Sequence, residues 1–313
     1  MIKNSKIYIA GHEGMVGSAC WRYLKSKGYS NLIGKSSSEL DLRDQSSVDK
    51  FISKEKPDII IDAAARVGGI WANNEYPYDF LMDNMLIQNN LIRFSLKNKV
   101  EKFIFLGSSC IYPKNSIQPI KEELLLKSPL EETNQWYAIA KISGVKLIES
   151  IRKQFGYNYV ALMPTNLYGP GDNYDLKTSH VLPALIRKIH DAKINNEKVN
   201  LWGSGTPKRE FLHVDDLAKG ILMFIEKNVD HHIYNIGSGE EISIKKLAQL
   251  ISDVINFKGD IYWDSSMPDG TYRKLMDSSK IRSLGFNPKT KLKEGIKQVY
   301  KLYKNEVTLR MRE

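Results

Sequence analysis

Cysteine is scarce in this 313-residue chain: Cys20 and Cys110 are the only two, too few for a disulfide framework or for the thiolate cluster of a structural zinc. The six histidines show no paired ligand spacing, so no metal is expected. No apolar run approaches the roughly 20 residues of a membrane-crossing helix, and the apolar part of Met1 to Ala10 is too short for a secretory signal. The expectation is a cytoplasmic protein with no membrane partner. Internal repeats, low-complexity segments and long linkers are also missing. Positive charge is in excess, +10 at neutral pH, but it is spread out, with some gain from Lys280 to Lys304 and no dense basic tract. Such a balance suits an anionic small ligand as well as a nucleic acid. Without a basic tract, no nucleic-acid partner is expected.

What the chain does contain is alternation. Lys6 to Ala10 is a short β-rich run followed by glycines and then a helical pattern through Lys27, the opening of a βαβ unit. Asn31 to Ile33, Pro57 to Ile61, Lys102 to Leu106 and Tyr159 to Met163 read as further buried strands. Helical stretches separate them around Val48, from Asn84 to Leu96 and from Ala138 to Ile151. This predicts an α/β fold with a Rossmann-type, doubly wound parallel sheet. Past Pro170 the texture turns to loops rich in Gly, Asp, Asn and Pro around shorter elements. Residues 1–172 are therefore expected to form a dinucleotide-binding domain, rejoined by residues 212–240 through the strand-like run His232 to Ile236. Residues 173–211 and 241–313 are left as a smaller α/β substrate-binding region.

Three local patterns carry chemistry. Gly11, Gly14 and Gly17 form a tight turn between the first strand and its helix, where backbone N–H groups and the helix dipole can hold a diphosphate. A plain turn would use the same glycines, but the first βαβ unit is where a dinucleotide site belongs. Tyr137 and Lys141 stand at i and i+4 on one helix face, so the ammonium can lower the phenol's pKa and fit it to protonate a carbonyl oxygen. Tyr23 with Lys27 and Tyr300 with Lys304 share that spacing, and a solvated pair accounts for them. What sets Tyr137 apart is Ser108 and Cys110 at the end of the fourth predicted strand, where open α/β sheets bind ligands. If the extended conformation persists, both point to one side. A strand-end serine and a small buried thiol would be the plain alternative.

Longer segments add a resemblance: Ala10 to Ala19, Arg66 to Ile70, Gly107 to Pro113, Tyr137 to Lys141, Pro164 to Pro170, Ser179 to Val181 and Trp202 to Asp216. Together they resemble the extended short-chain dehydrogenase/reductase family over nearly the whole length, and within it the epimerase-reductases that turn GDP-4-keto-6-deoxymannose into GDP-L-fucose. The resemblance implies a reductase triad of Ser108, Tyr137 and Lys141, with Cys110 and His180 as the acid/base pair at the carbons flanking the ketone. It implies NADP(H), held by Gly11, His12, Gly14, Met15, Val16 and Gly17, by Lys35, by Asp41 and Leu42 beside the adenine, and by Tyr137, Lys141 and His180. It also implies a GDP-linked 4-keto sugar bound by Asn166, Lys188, Trp202, Arg209 and Lys274, and a homodimer through the two long helices.

The chain departs from that group at the 2′-phosphate. Members place arginines in the glycine turn and after the second strand, whereas here His12 and Lys35-Ser36-Ser37-Ser38 occupy those places. No carboxylate that would mark an NAD site occurs between Asn31 and Ser38. The expectation is NADPH preferred over NADH, but less strongly than with two arginines. Rival readings are a GDP-sugar C4 reductase with little or no epimerase activity, acting for example on a 6-deoxyheptose, and a 4-epimerase or 4,6-dehydratase with tightly held NAD, against which Cys110 and His180 argue. A silent nucleotide-binding regulator is a third, and the retained Ser108, Tyr137 and Lys141 count against it.

Overall fold

The computed structural model describes residues 2–266 and 269–310; residue 1 and residues 311–313, at the outer ends of the expected segments, lie outside it. Strand β1 (Ile7–Ala10) is buried along its whole length and leads into α1 (Met15–Ser26). Next come β2 (Leu32–Ile33), α2 (Gln45–Glu55) and β3 (Ile59–Asp62). The short α3 (Ile70–Glu75) precedes α4 (Pro77–Lys97), β4 (Lys102–Leu106), α5 (Gln135–Phe155) and β5 (Val160–Pro164). Elements then shorten: β6 (Asn166–Tyr168), α6 (Val181–Asn195), β7 (Val199–Trp202) and β8 (Lys208–His213). After α7 (Val214–Glu226) and β9 (Ile233–Ile236) come β10 (Glu241–Ser243), α8 (Ile244–Ile255), β11 (Ile261–Asp264), β12 (Arg273–Lys274), α9 (Ser279–Ser283) and α10 (Leu292–Arg310).

Six strands form one parallel sheet in the order β2-β1-β3-β4-β5-β9. Both faces are covered, which is why β1, β3, β4 and β5 read as unbroken apolar runs rather than alternating ones. On one face α1 and α7 pack over Ile7, Ile9, Ile61 and Leu106. Cys20 belongs to this core; burial pushes its thiol up to about 12, so it packs as a small apolar residue. The other face carries Tyr8, Ile60, Phe103 and Phe105 under α2, α4 and α5. Each such fully buried side chain contributes about 1.5–3 kcal/mol. Gln88 of α4 joins α5 directly, its Nε2 donating to the Ala140 carbonyl at 2.6 Å and to Ser143 Oγ at 2.9 Å.

Strand order reverses between β1 and β3, so the crevice above that point is where a ligand belongs. A second sheet of β6, β8, β10 and β12 stands beyond it, and β7 pairs with β11. Helices α6, α8 and α10 bury a third apolar cluster with these strands. Strand β9 pairs with β5, so the chain returns to the first sheet before closing the second region. Among the described residues no helix is long and apolar enough to cross a membrane.

Candidate active site

The glycine turn is built by close approach. A Cβ on Gly17 would lie 2.1 Å from the Gly11 carbonyl oxygen, and Gly11 itself sits at φ +74 with the backbone of Ala63 and Ala64 against it; only glycine meets both demands. Helix α1 starts after Gly14 without a side-chain cap, so the N–H groups of Met15 and Val16 are directed out of the helix end, as an anion site requires. The His12 ring packs against Gly34 and lies 5.6 Å from the Trp21 ring, with Nδ1 buried and without a hydrogen-bond partner among the described residues. Lys35 does not stand free: its Nζ donates to Glu39 at 2.8 Å, and the same carboxylate accepts from the Ser36 N–H and hydroxyl. Asp41 is taken up by Arg43, and the Leu42 carbonyl accepts from Asn90 Nδ2 at 2.9 Å.

At the end of β4 the extended conformation stops at Ser108, and a 3-10 turn, Ser109–Ile111, takes over. The expected strand alternation of Ser108 and Cys110 therefore does not hold. The Ser108 side chain instead accepts the Cys110 N–H at 3.1 Å, and this cap folds the thiol back toward α5. Burial and then the Cys110 thiol push the Tyr137 phenol far above its usual range, while its hydrogen bond with Ser108 acts the other way. The expected lowering by Lys141 is absent. Its Nζ donates to the Leu106 carbonyl at 2.9 Å and lies 5.9 Å from the Tyr137 ring centroid, because strand β4 presents an acceptor directly beneath the helix. Burial lowers Lys141 to about 8, opposed by the Asp62 carboxylate.

Cys110 has polar company. Asn134 Nδ2 donates to its Sγ at 3.5 Å, and Lys274 Nζ approaches to 3.8 Å. Arg209 pairs with Lys274 across β8 and β12; its Nη1 donates to the carbonyls of Thr271 and Lys208 at 2.6 and 2.8 Å. Burial lowers Arg209, with Cys110 and Asp269 acting in the opposite sense. His180 caps α6. The chain around it is tied to the start of α3 by the Gly69 N–H donating to the Thr178 carbonyl at 2.9 Å. The residue is exposed, and desolvation by the surrounding protein lowers its pKa from the ordinary imidazole value, so the neutral base predominates at pH 7.

The substrate residues fall into two places. Lys188 Nζ lies 5.4 Å from the centre of the Trp202 ring, and both line a cavity of about 140 Å³ with Val181, Leu185, Ile244 and Trp263. Lys274 does not join them, since β12 carries it to Cys110. Asn166 donates to the Glu210 carbonyl at 2.9 Å, beside Arg209. A second cavity, about 400 Å³, opens between Lys114 to Gln118 and Asp269 to Arg273.

A glycine turn at the switch point, with Ser108, Tyr137 and Lys141 at the next strand end, agrees with the comparison to known proteins: residues 7–237 match the NAD dependent epimerase/dehydratase family. The chain belongs to that family. It is 52% identical to GDP-L-fucose synthase 1 of Arabidopsis thaliana, over 97% of this chain and 95% of that protein. With GDP-L-fucose synthase of Escherichia coli it shares 45% identity over 96% and 97% of the two chains. Among solved structures, a GDP-mannoheptose C4 reductase from Campylobacter jejuni with NADP bound superposes with a TM-score of 0.88 at 37% identity, over 97% of this chain and 99% of that one. The resemblance carried by the sequence motifs is thus borne out, as is the Rossmann-type fold. As a member of the epimerase/dehydratase family, the protein is an enzyme that works with a nicotinamide cofactor.

Two residues beside the candidate site escape a reading of motifs. Asn134 precedes α5 and looks like an ordinary helix-start residue; only the fold brings its amide to Cys110. Asp62 leaves a trace in the sequence, a carboxylate closing the apolar run Ile59-Ile60-Ile61. In the structure it is wholly buried.

Proposed function

We propose that the protein is an NADPH-dependent epimerase-reductase that inverts C3 and C5 and reduces C4 of a GDP-4-keto-6-deoxy sugar, giving GDP-L-fucose. The observation that carries this reading is the shared neighbourhood of Ser108, Tyr137 and Cys110, which joins a carbonyl-reducing pair to a thiol with Asn134 and Lys274 at its sulfur. The C4 ketone acidifies the hydrogens on C3 and C5. Cys110 and His180, on opposite faces, act as the acid/base pair: the one in its basic form removes a proton to leave an enolate, and the other in its protonated form delivers one to the opposite face. Ser108 then polarises the C4 oxygen, and Tyr137 delivers its proton there. Bound NADPH supplies the hydride for C4. The chain's part in holding it falls to the Gly11–Gly17 turn at the diphosphate, Lys141 at the ribose, Asp41 and Leu42 near the adenine, and Lys35 with Ser36 at the 2′-phosphate. Arg209 fits a diphosphate bidentately, and Lys188 with Trp202 suits the nucleoside end.

In this reading, residues 1–172 with 212–240 serve the cofactor, residues 173–211 and 241–313 serve the substrate, and the assembly is a homodimer through α4 and α5. The likeness to a heptose C4 reductase favours one alternative, reduction of a GDP-4-keto heptose with little epimerisation. Incubation with NADPH and GDP-4-keto-6-deoxymannose in heavy water, followed by NMR of the product, separates the two. Deuterium at C3 and C5 of a reduced sugar is expected. Reduction without deuterium at either carbon would favour the alternative, and no reduction would overturn both.

A further inference from the structure

Beneath the Tyr137–Lys141 pair lies a buried carboxylate that the reaction as read above does not use. Asp62 ends β3, an interior strand, with no exposed surface. Its Oδ1 accepts the Ala64 N–H at 3.3 Å, a long bond, and Oδ2 has no partner among the described residues. Side chains alternate faces along a strand, and Asp62 stands in register with Ala10 of β1 and Phe105 of β4. Ala10, Ile60 and Phe105 all belong to the layer under α4 and α5, so Asp62 shares that side of the sheet. Lys141 comes down on the same side. It is 2% exposed, and its Nζ is 4.7 Å from the Phe105 ring centre.

A carboxylate with an open oxygen is tolerated in such a place only if a cation compensates it. We propose that Asp62 is a positioning residue for carbonyl reduction: its carboxylate is the buried counter-charge that keeps Lys141 in its ammonium form beside Tyr137. The proposal rests on the reading that Tyr137 and Lys141 carry the reduction. Burial lifts Asp62 to about 6 and lowers Lys141 to about 8, each opposed by the other's charge, so both are ionised in a window around neutral pH. The other groups facing the pair leave that window alone. From β1, Tyr8 is held protonated by burial and by Asp62; from α5 itself, Tyr137 is held protonated by burial and by Cys110; Gln88 from α4 is neutral. Without the Asp62 charge, burial acts on Lys141 unopposed, and the ammonium is lost at lower pH.

The test compares the full chain with Asp62→Asn and Asp62→Leu, following NADPH oxidation with the 4-keto sugar from pH 6 to 9 and deuterium exchange at C3 and C5. The alkaline limb of kcat is expected to move down by about one pH unit in both variants. Turnover at pH 8.5 then falls about tenfold, stays within about twofold of the parent at pH 6.5, and C3/C5 exchange keeps the parent's rate. Carbon-13 NMR of aspartate-labelled protein gives a readout apart from turnover. The carboxyl signal lost in Asp62→Asn should titrate near pH 6 in the parent and at higher pH in Lys141→Met. Coincident pH profiles in parent and variants, equal loss of exchange and reduction at every pH in both variants, or a carboxyl signal indifferent to Lys141→Met would each overturn the pairing. A parent that neither exchanges nor reduces would sink the reading of the site, while the carboxyl titration still decides the pairing.

Discussion

Cys110 and Tyr137 share one neighbourhood but serve different bonds in the proposed reaction, so substitutions should split the activities. Cys110→Ser replaces a thiol with a far weaker acid whose conjugate base is scarce at neutral pH; deuterium exchange at C3 and C5 should fall at least 100-fold, roughly the value of a positioned base. Tyr137→Phe removes the proton given to the C4 oxygen. Reduction should drop about 10²- to 10⁴-fold while exchange continues. If both variants lose both activities in parallel, the separation of roles is wrong. In the loop proposed to hold the cofactor's 2′-phosphate, the Lys35–Glu39 contact adds something the sequence order alone did not convey. There the Glu39 carboxylate is held near 2 by its hydrogen bonds from Lys35 and Ser36, against a smaller opposing desolvation, so it stays charged and competes with a phosphate for the same donors. Glu39→Gln should therefore raise the ratio of kcat/KM for NADPH over NADH, and Lys35→Glu should lower it, each by roughly 3- to 30-fold. A ratio unmoved by either change would remove this loop from cofactor choice.

Among the elements, the loop after β6 carries a second desolvated acid, half-buried. Burial raises Asp172 from 3.8 to about 7 against the opposing Asn173 N–H, and Oδ2 has no hydrogen-bond partner among the described residues. A raised folded pKa means the folded state binds the proton more tightly. The stability contributed by the protonated group is thus full below about pH 3.8 and is lost as pH rises toward 7. Asp172→Asn removes that dependence. It should be as stable as the parent near pH 4 and more stable at pH 8, by about 1–3 kcal/mol once solvent screening of this partly exposed residue is allowed for. In calorimetry that corresponds to a Tm higher by roughly 3–8 °C. A Tm difference that stays constant from pH 4 to pH 8 would exclude the mechanism.

Taken as a whole, the molecule leaves apolar groups outside on both long helices. Tyr78, Met82 and Leu86 are exposed at four-residue intervals along α4, and Trp136 and Ile139 are exposed on α5. Such a stripe on a monomer's surface is unusual unless it is covered, and a two-fold axis covers it with itself. Replacing Met82 and Leu86 with Glu should convert the proposed dimer to a monomer in sedimentation velocity at micromolar concentration. Turnover per chain should remain within about twofold, because neither side chain belongs to the catalytic set. A parent that already sediments as a monomer would refute the assignment of this face.

The sequence by itself determined what depends on neighbours along the chain. Buried strands show as runs such as Ile59-Ile60-Ile61, the glycine turn shows because Gly11 and Gly17 must touch, and the Tyr137–Lys141 face shows because a helix repeats every 3.6 residues. Motif resemblance added Cys110, His180 and the family. Tertiary structure alone decided where charges end up. Lys274 lies 164 residues from Cys110 and Asp62 lies 79 from Lys141, and neither separation has a period that predicts contact. The cap at Ser108 replaced strand alternation because its hydroxyl could bind the Cys110 N–H, a competition between local hydrogen bonds that hydrophobic patterning does not encode. Titration depends on burial from all sides, so the raised phenol of Tyr137 and the lowered ammonium of Lys141 follow from the packing of α5 on β4, not from the spacing of the two residues along their helix.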